Sequence, residues 1–489
     1  MFSNNNSDTE IGLSATTVPV YFDDDSRALF SVQYPDAGEI SLTAELSERS
    51  SIAGSSNIFK VRPFGIAVEV LDDTGTNMNP NATAANANGS LLKLTGQDFV
   101  VGLRTVQWVA GEDGDSDGVP DDFASLLNNN TAEHFSGTVE LTPTTQLPAS
   151  GVTGTLSGGT SVVFTDEGKV NTTVDYDEVG VININASSNY LSSTTVQGQM
   201  SNVGRFAPSN FILSGNVTPA CDVASAFTYF DEPLDSVSYT LQAVNQNGAK
   251  TVNYFGGFDK LNANNMQMEH SGSVYNRLVN VDSVTWPQSG VTGRIDFTDT
   301  DIAVSRLADA NLDGAYMGAS LILELDSAQL EGATFNGSYC TPPCLAVIES
   351  SLNFAYGRAT LTNNYGSVDE SLLLPMTTQY WDGNDWRINM ADSCSTFDHN
   401  DIEESTGQLV SSQTGSTLSQ GAYAGREGMR LSSPNGEGNF SVTYEAPQWL
   451  RWDWDQDGNA DESPSATVTF GVYRGNDDII YKRERVGND

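Results

Sequence analysis

The feature that most limits how this chain can fold is an internal repeat with a period near 140 residues. Tyr34-Pro-Asp-Ala-Gly38-Glu-Ile-Ser-Leu-Thr-Ala44 and Tyr176-Asp-Glu-Val-Gly180-Val-Ile-Asn-Ile-Asn-Ala186 share the pattern Y-x-x-x-G-x-I-x-[LI]-x-A at a spacing of 142. Val61-Arg-Pro-Phe64-Gly-Ile pairs with Phe206-Ala-Pro-Ser-Asn-Phe211-Ile, and Ser150-Gly-Val-Thr-Gly154 recurs as Ser289-Gly-Val-Thr-Gly293, 139 residues on. Matches in one order at one period mean repeated structural units. Inside the units, short apolar alternations recur: Phe99 to Trp108, Val237 to Ala243, and Val468, Phe470 and Val472 against Thr467, Thr469 and Gly471. Period-two alternation is the pattern of a strand with one buried face.

Long runs of Ala, Leu, Glu and Lys at helical spacing are lacking, and Gly is abundant (45). The expected fold is therefore all-β. An aromatic, a Gly-containing turn and an alternating strand resemble the corner before the penultimate strand of an immunoglobulin-like sandwich. The chain thus reads as tandem immunoglobulin-like β-sandwich domains in an elongated array. The period places a C-terminal part of a truncated domain at 1–60, complete units at 61–205 and 206–345, and a C-terminal sandwich at 346–489. The last unit is expected to end in a hairpin, with Gly475-Asn476-Asp477 as its turn and Ile479-Ile480-Tyr481 returning. Residues 78–90, rich in Asn and Ala, read as a loop. Four cysteines allow three pairings and spacing does not choose among them; Cys340–Cys344 with Cys221–Cys394 is the preferred set. The histidines His134, His270 and His399 are scattered away from them, which disfavours zinc.

Charge excludes some functions. With 63 acidic against 22 basic residues the net charge is −41, a surface that repels phosphate backbones and argues against nucleic acid as a partner. No apolar run approaches the roughly 18 residues that span a bilayer. The first 20 residues lack the basic start and apolar core of a signal peptide, so an exported protein of this kind is expected to begin upstream of them.

The acids cluster. Asp113, Asp115 and Asp117 stand two apart before Gly118, with Asp121 and Asp122 following. Asp453, Asp455 and Asp457 repeat the spacing before Gly458, with Asp461 and Glu462 closing the group. Alternate residues of a tight loop can turn carboxylates inward, and Ca²⁺ takes six to eight oxygen ligands. An EF-hand loop needs Glu at its twelfth position, where these loops hold Ala124 and Pro464, and their flanks read as strand. A structural Ca²⁺ site in a D-x-D-x-D-G loop outside the helical context is the expectation, set against a solvated acidic turn. Asp309, Asn311 and Asp313 before Gly314 form a weaker third case, since Ala315 and Met317 supply no side-chain oxygen.

Catalytic residues are not expected. None of the three histidines stands in a triad context, no phosphate loop joins a strand to a helix, and abundant acids make any carboxylate pair uninformative. Trp449, Trp452 and Trp454, with Trp381 and Trp386, leave a carbohydrate-binding surface as an alternative to strand packing.

Several blocks also resemble a known family. They are Thr218-Pro-Ala-Cys221 with Phe227-Thr-Tyr-Phe-Asp-Glu-Pro233; Tyr356-Gly-Arg-Ala-Thr-Leu-Thr-Asn-Asn-Tyr-Gly366 with Gln379-Tyr-Trp-Asp-Gly383 and Asp392-Ser-Cys394; and Phe470-Gly-Val-Tyr-Arg-Gly-Asn-Asp477. Over roughly residues 200–489 the chain resembles the C-terminal region of the MshQ family, biogenesis proteins of the MSHA-type (mannose-sensitive haemagglutinin) type IV pilus. The resemblance implies an exported, surface-associated protein of a Gram-negative bacterium, with other pilus or cell-surface components as partners; an adhesin for glycans or surface receptors and a periplasmic pilus assembly factor are the alternatives. It carries no catalytic residues over. Cys340 and Cys344 look like an addition to the family pattern.

Overall fold

The computed structural model describes residues 2–4, 9–11, 20–30, 32–46, 48–165, 167–192, 194–223, 225–288, 293–307, 311–404, 416–423, 429–434 and 436–471. Among these the regular elements are strands and four short 3₁₀ turns, with no α-helix. No helix is long and apolar enough to cross a membrane. The hairpin expected after Phe470 lies outside the described residues, but the strand leading to it is present. Ser465–Phe470 buries Ala466, Val468 and Phe470 and turns Ser465 and Thr467 outward, as period-two alternation requires.

The second, third and fourth units each set two main sheets against one another. In the second unit, Asp98–Val106 lies between Gly65–Leu71 and Lys169–Tyr176, and Leu156–Gly158 completes that sheet. The facing sheet runs Ser161–Thr165, Ser136–Leu147, Gly180–Tyr190, Thr194–Ala207 and Lys93–Leu94. Phe99, Val101 and Leu103 from one sheet meet Val139, Ile182, Ile184 and Phe206 from the other in one buried core. The third unit repeats the arrangement, with Ser236–Val244 between Asn210–Thr218 and Arg294–Asp299. The motifs at Phe64 and Phe211 thus open equivalent strands, each pairing antiparallel with the alternating strand of its unit.

The repeated Tyr/Gly motif has a physical reason. Tyr176 is fully buried and its hydroxyl accepts the Gly154 N–H at 2.9 Å, tying the strand start to the preceding loop. Gly38 and Gly180 both have positive φ, 150° and 135°. At Gly180 a Cβ would run into the Leu147 carbonyl, so glycine is required by space as well as by backbone angle.

Strand pairing carries the third unit past the break expected at residue 345. Cys344–Ala355 pairs antiparallel with Gly314–Leu325, and the Cys340–Cys344 disulfide sits at its start. The fourth unit sets Gly357–Leu361, Met376–Trp381 and Trp386–Ile388 against Asn364–Gly366, Ser465–Phe470, Gly438–Tyr444 and Ile402–Glu404. The segment after Asn210–Thr218 is divided between two sandwiches, with Thr228–Tyr229 pairing parallel with Phe354 and Ala355 of the third. Cys221, Phe227 and Tyr229 pack into the fourth unit's core, and the Cys221–Cys394 disulfide makes the crossing covalent. Toward the N-terminus, Gly38–Leu46 pairs with Phe2–Asn4, Arg49–Ser55 and Phe59–Val61.

Replacing Gly180 by Ala should destabilise the second sandwich by about 2–4 kcal/mol, because it adds steric overlap to an unfavourable backbone angle. Urea unfolding of the purified chain checks this; a loss below about 0.5 kcal/mol would mean that the corner relaxes freely.

Candidate functional site

The two acidic loops adopt the same local backbone although they lie in different sandwiches. Ser116 and Gln456, at matching positions, are left-handed with φ of 58° and 63°, and Gly118 and Gly458 follow with φ of 83° and 99°. Each Asp accepts a backbone N–H two or more residues on, the local bond that short acidic side chains favour in turns. The Asp117 N–H donates to Asp115 Oδ1 (3.2 Å) and the Asp457 N–H to Asp455 Oδ1 (3.1 Å). The Gly118 N–H donates to Asp113 Oδ2 (3.0 Å) and the Gly458 N–H to Asp453 Oδ2 (3.2 Å).

These bonds turn the carboxylates inward. Ligand oxygens of Asp113, Asp115 and Asp117 lie within 4.8 Å of one another, as do those of Asp453, Asp455 and Glu462. The second oxygen of the leading acid, Oδ1 of Asp113 and of Asp453, is buried without a hydrogen-bond partner in both loops. A buried carboxylate oxygen lacking a donor is costly, and so is the mutual repulsion of three carboxylates. A hard divalent cation relieves both at once, and the donor set, all carboxylate oxygen, fits one.

The remaining expected ligands fall into different places. Asp121 Oδ2 accepts the Gly114 N–H at 2.8 Å and so braces the first loop, while Asp122 Oδ1 accepts the Ala124 N–H and belongs to the next turn. Asp457 accepts the Asn459 N–H at 2.8 Å and stays outside the cluster. Glu462, beside Asp461, takes the place that spacing gave to later aspartates. The second loop is one residue longer: the Asp121 N–H closes the first onto the Glu112 carbonyl, whereas the Glu462 N–H closes the second onto the Trp452 carbonyl. Burial, then the neighbouring Asp461 and Asp455, push the Glu462 carboxyl above its ordinary range. Of the third loop, Asp309 lies outside the described residues. Asp313 Oδ2 is paired with Arg277 and accepts the Tyr316 hydroxyl at 2.8 Å, so a guanidinium rather than other carboxylates faces it, while its Oδ1 is buried without a hydrogen-bond partner and Asn311 is exposed.

Both carboxylate loops sit at joints between sandwiches, one of the two places, interdomain or turn, that the sequence left open for them. Arg62 lies between the strands Phe59–Val61 and Gly65–Leu71, and its guanidinium donates to the Gly118 carbonyl inside the first loop and to the Pro63 and Phe64 carbonyls. Arg306 of the third sandwich reaches into the fourth, donating to the carbonyls of Arg451 (2.9 Å), Gly357 (2.8 Å) and Trp449. It also faces Asp231 at 3.4 Å and stacks over Tyr356 at 4.3 Å. Trp452 packs edge-on against Tyr356 and Trp386, while Arg358 covers Trp386 and Trp454. The joint of the second and third sandwiches is built differently. Arg205 makes two hydrogen bonds to the Glu331 carboxylate, and buried Glu178 accepts the N–H groups of Val179, Val252 and Asn253.

Four models of one family match in succession: the domain of unknown function DUF6701, first Ig-like domain, over 1–58, its second domain over 62–175, its third over 178–346 and its fourth over 355–485. The chain belongs to the DUF6701 family. Its fold is therefore shown twice, by the paired sheets and by a family whose first domain is Ig-like. No curated protein matches the sequence. Among solved structures, the I9–I11 tandem of titin aligns at 6% identity over 77% of this chain and 94% of that one, with a TM-score of 0.22. A tetra-tandem repeat from the extending region of a large adhesion protein aligns at 12% identity, covering 92% and 89%, with a TM-score of 0.24.

The joint of the third and fourth sandwiches also holds a titratable group. Glu232 accepts the Tyr229 N–H at 3.0 Å, and burial, aided by Asp392, pushes its carboxyl up to about 7. A carboxyl raised by folding binds a proton more tightly in the folded state. Its contribution is therefore most favourable below the ordinary value of 4.5 and is lost as pH rises through about 7. Glu232→Gln, which keeps an oxygen for the Tyr229 N–H, should stabilise the chain by roughly 1–3 kcal/mol at pH 8 and leave it unchanged near pH 4. Thermal melting at the two pH values checks this, and an equal effect at both would show that Glu232 is not the titrating group.

Proposed function

We propose that the chain is an extracellular structural and adhesive module of an MSHA-like type IV pilus system, in which Ca²⁺ stiffens the joints between Ig-like sandwiches. One observation carries the metal reading. Two loops with one backbone geometry each hold converging carboxylates, each leave a buried oxygen of the leading acid unpartnered, and each stand at a joint. Asp113, Asp115 and Asp117 would hold one ion and Asp453, Asp455 and Glu462 the other, with backbone oxygens and water filling the remaining positions of Ca²⁺. The pilus assignment rests on the resemblance of residues 200–489 to the MshQ family. Its partners would be other pilus or cell-surface components outside a Gram-negative cell, and no catalytic role is assigned. Trp381, Trp386 and Trp452 favour packing over glycan contact: Trp386 packs edge-on against Trp381, Trp452 and Tyr356, and Trp452 also against Tyr356.

Calcium binding to the folded state alone raises stability by RT ln(1 + [L]/Kd), about 2.7 kcal/mol per site at a hundredfold excess over Kd. Melting should therefore shift upward by several degrees between EDTA and millimolar Ca²⁺. Asp113→Asn with Asp453→Asn should abolish the shift while leaving melting in EDTA unchanged or higher, because carboxylate repulsion is relieved. A melting temperature indifferent to Ca²⁺ sinks the metal role.

A further inference from the structure

A groove at the joint without acidic loops has a different chemistry. It holds about 340 Å³ between the second and third sandwiches, within the size range of small-molecule sites. In a chain of net charge −41 its lining contains no charged side chain. The wall is amide and hydroxyl: Gln97 from the second sandwich faces Asn210, Gln246 and Thr334 from the third. Tyr339 stands at the groove with 79% of its surface exposed.

The polar groups are held, yet they keep unused capacity. Gln97 Oε1 accepts the Leu94 N–H at 3.2 Å, which fixes the amide and leaves its NH₂ directed elsewhere. Asn210 Oδ1 accepts both the Thr334 hydroxyl (2.8 Å) and the Gly337 N–H (3.1 Å), so its NH₂ also remains as a donor. Gln246 is anchored through its backbone, whose N–H donates to the Thr95 carbonyl at 3.1 Å. Its side-chain amide makes no hydrogen bond among the described residues and offers both a donor and an acceptor.

We propose that this groove is a subsite for a neutral sugar, with Tyr339 as the ring on which a pyranose face stacks. A sugar presents many hydroxyls, each donor and acceptor, to fixed amides, and a face of C–H groups to the electron-rich face of an aromatic ring. The lining offers no charged partner to a cation, a carboxylated sugar or a basic peptide. Residues of two sandwiches would contact one ligand, so binding would also brace their joint. The site shares no residue with the acidic loops and stands or falls apart from the metal reading.

Saturation-transfer NMR on the full chain tests it, with maltose, cellobiose and lactose as probes and glucuronic acid as the charged control. Transfer to at least one of the three disaccharides, and none to glucuronic acid, is expected in EDTA as in Ca²⁺. Tyr339→Ala with Gln246→Ala, both at the groove surface, should weaken binding by about tenfold. The double variant must melt as the parent does for its loss to count; Tyr339→Phe, which keeps the ring, should retain binding and serves as the second variant. Absence of transfer to all three disaccharides, equal transfer in the double variant, or transfer that disappears in EDTA each overturns the subsite.

Discussion

Three carboxylates drawn within 4.8 Å repel one another, and this chain draws them together twice, each time beside a joint of its β-sandwiches. The sandwiches themselves need no such help. Their cores are continuous, with Phe99, Val101, Ile182 and Phe206 buried in the second and Leu241, Leu321 and Leu323 in the third. What a string of such units lacks is a fixed angle between neighbours, since contacts between domains are smaller and more polar than cores. The polar contacts seen here answer that need in three ways.

The first joint uses Arg62 to hold a carbonyl of the first acidic loop. The middle joint uses the Arg205–Glu331 pair and the Glu178 carboxylate, whose buried charge is answered by three backbone N–H groups. The last is the most heavily built. It combines the Cys221–Cys394 disulfide, the Arg306 guanidinium among carbonyls of the fourth sandwich, and a bond from Tyr229 to the fully buried Asp392, which also accepts from Thr378 and Ser395. Arg62 thus touches the backbone of the first acidic loop itself, and Arg306 the residues that lead into the second.

Much of the fold was legible because alternation and repetition are local signals. Asp98–Val106 and Ser236–Val244 were readable as equivalent strands from their apolar period, and the motif at Gly180 from its turn. The end of the third sandwich was not, because Cys344–Ala355 earns its place through pairing with the distant Gly314–Leu325. The candidate site divides in the same way. Asp113, Asp115, Asp117, Asp453 and Asp455 follow from spacing, but Glu462 replaces Asp461 because one extra residue alters how the loop closes. Asp313 carries the right spacing and the wrong neighbour, since Arg277 comes from a strand-end far upstream. That both loops lie at joints is a property of the assembled sandwiches and leaves no trace in either loop's sequence.

On the proposed function, cation occupancy at these joints sets the stiffness of the array. Small-angle X-ray scattering of the full chain, in Ca²⁺ and in EDTA at equal ionic strength, measures that directly. A longer maximum dimension and a narrower distance distribution in Ca²⁺, with no such change in the Asp113→Asn, Asp453→Asn double variant, is the result expected. Superimposable profiles of the parent chain in Ca²⁺ and EDTA would contradict it.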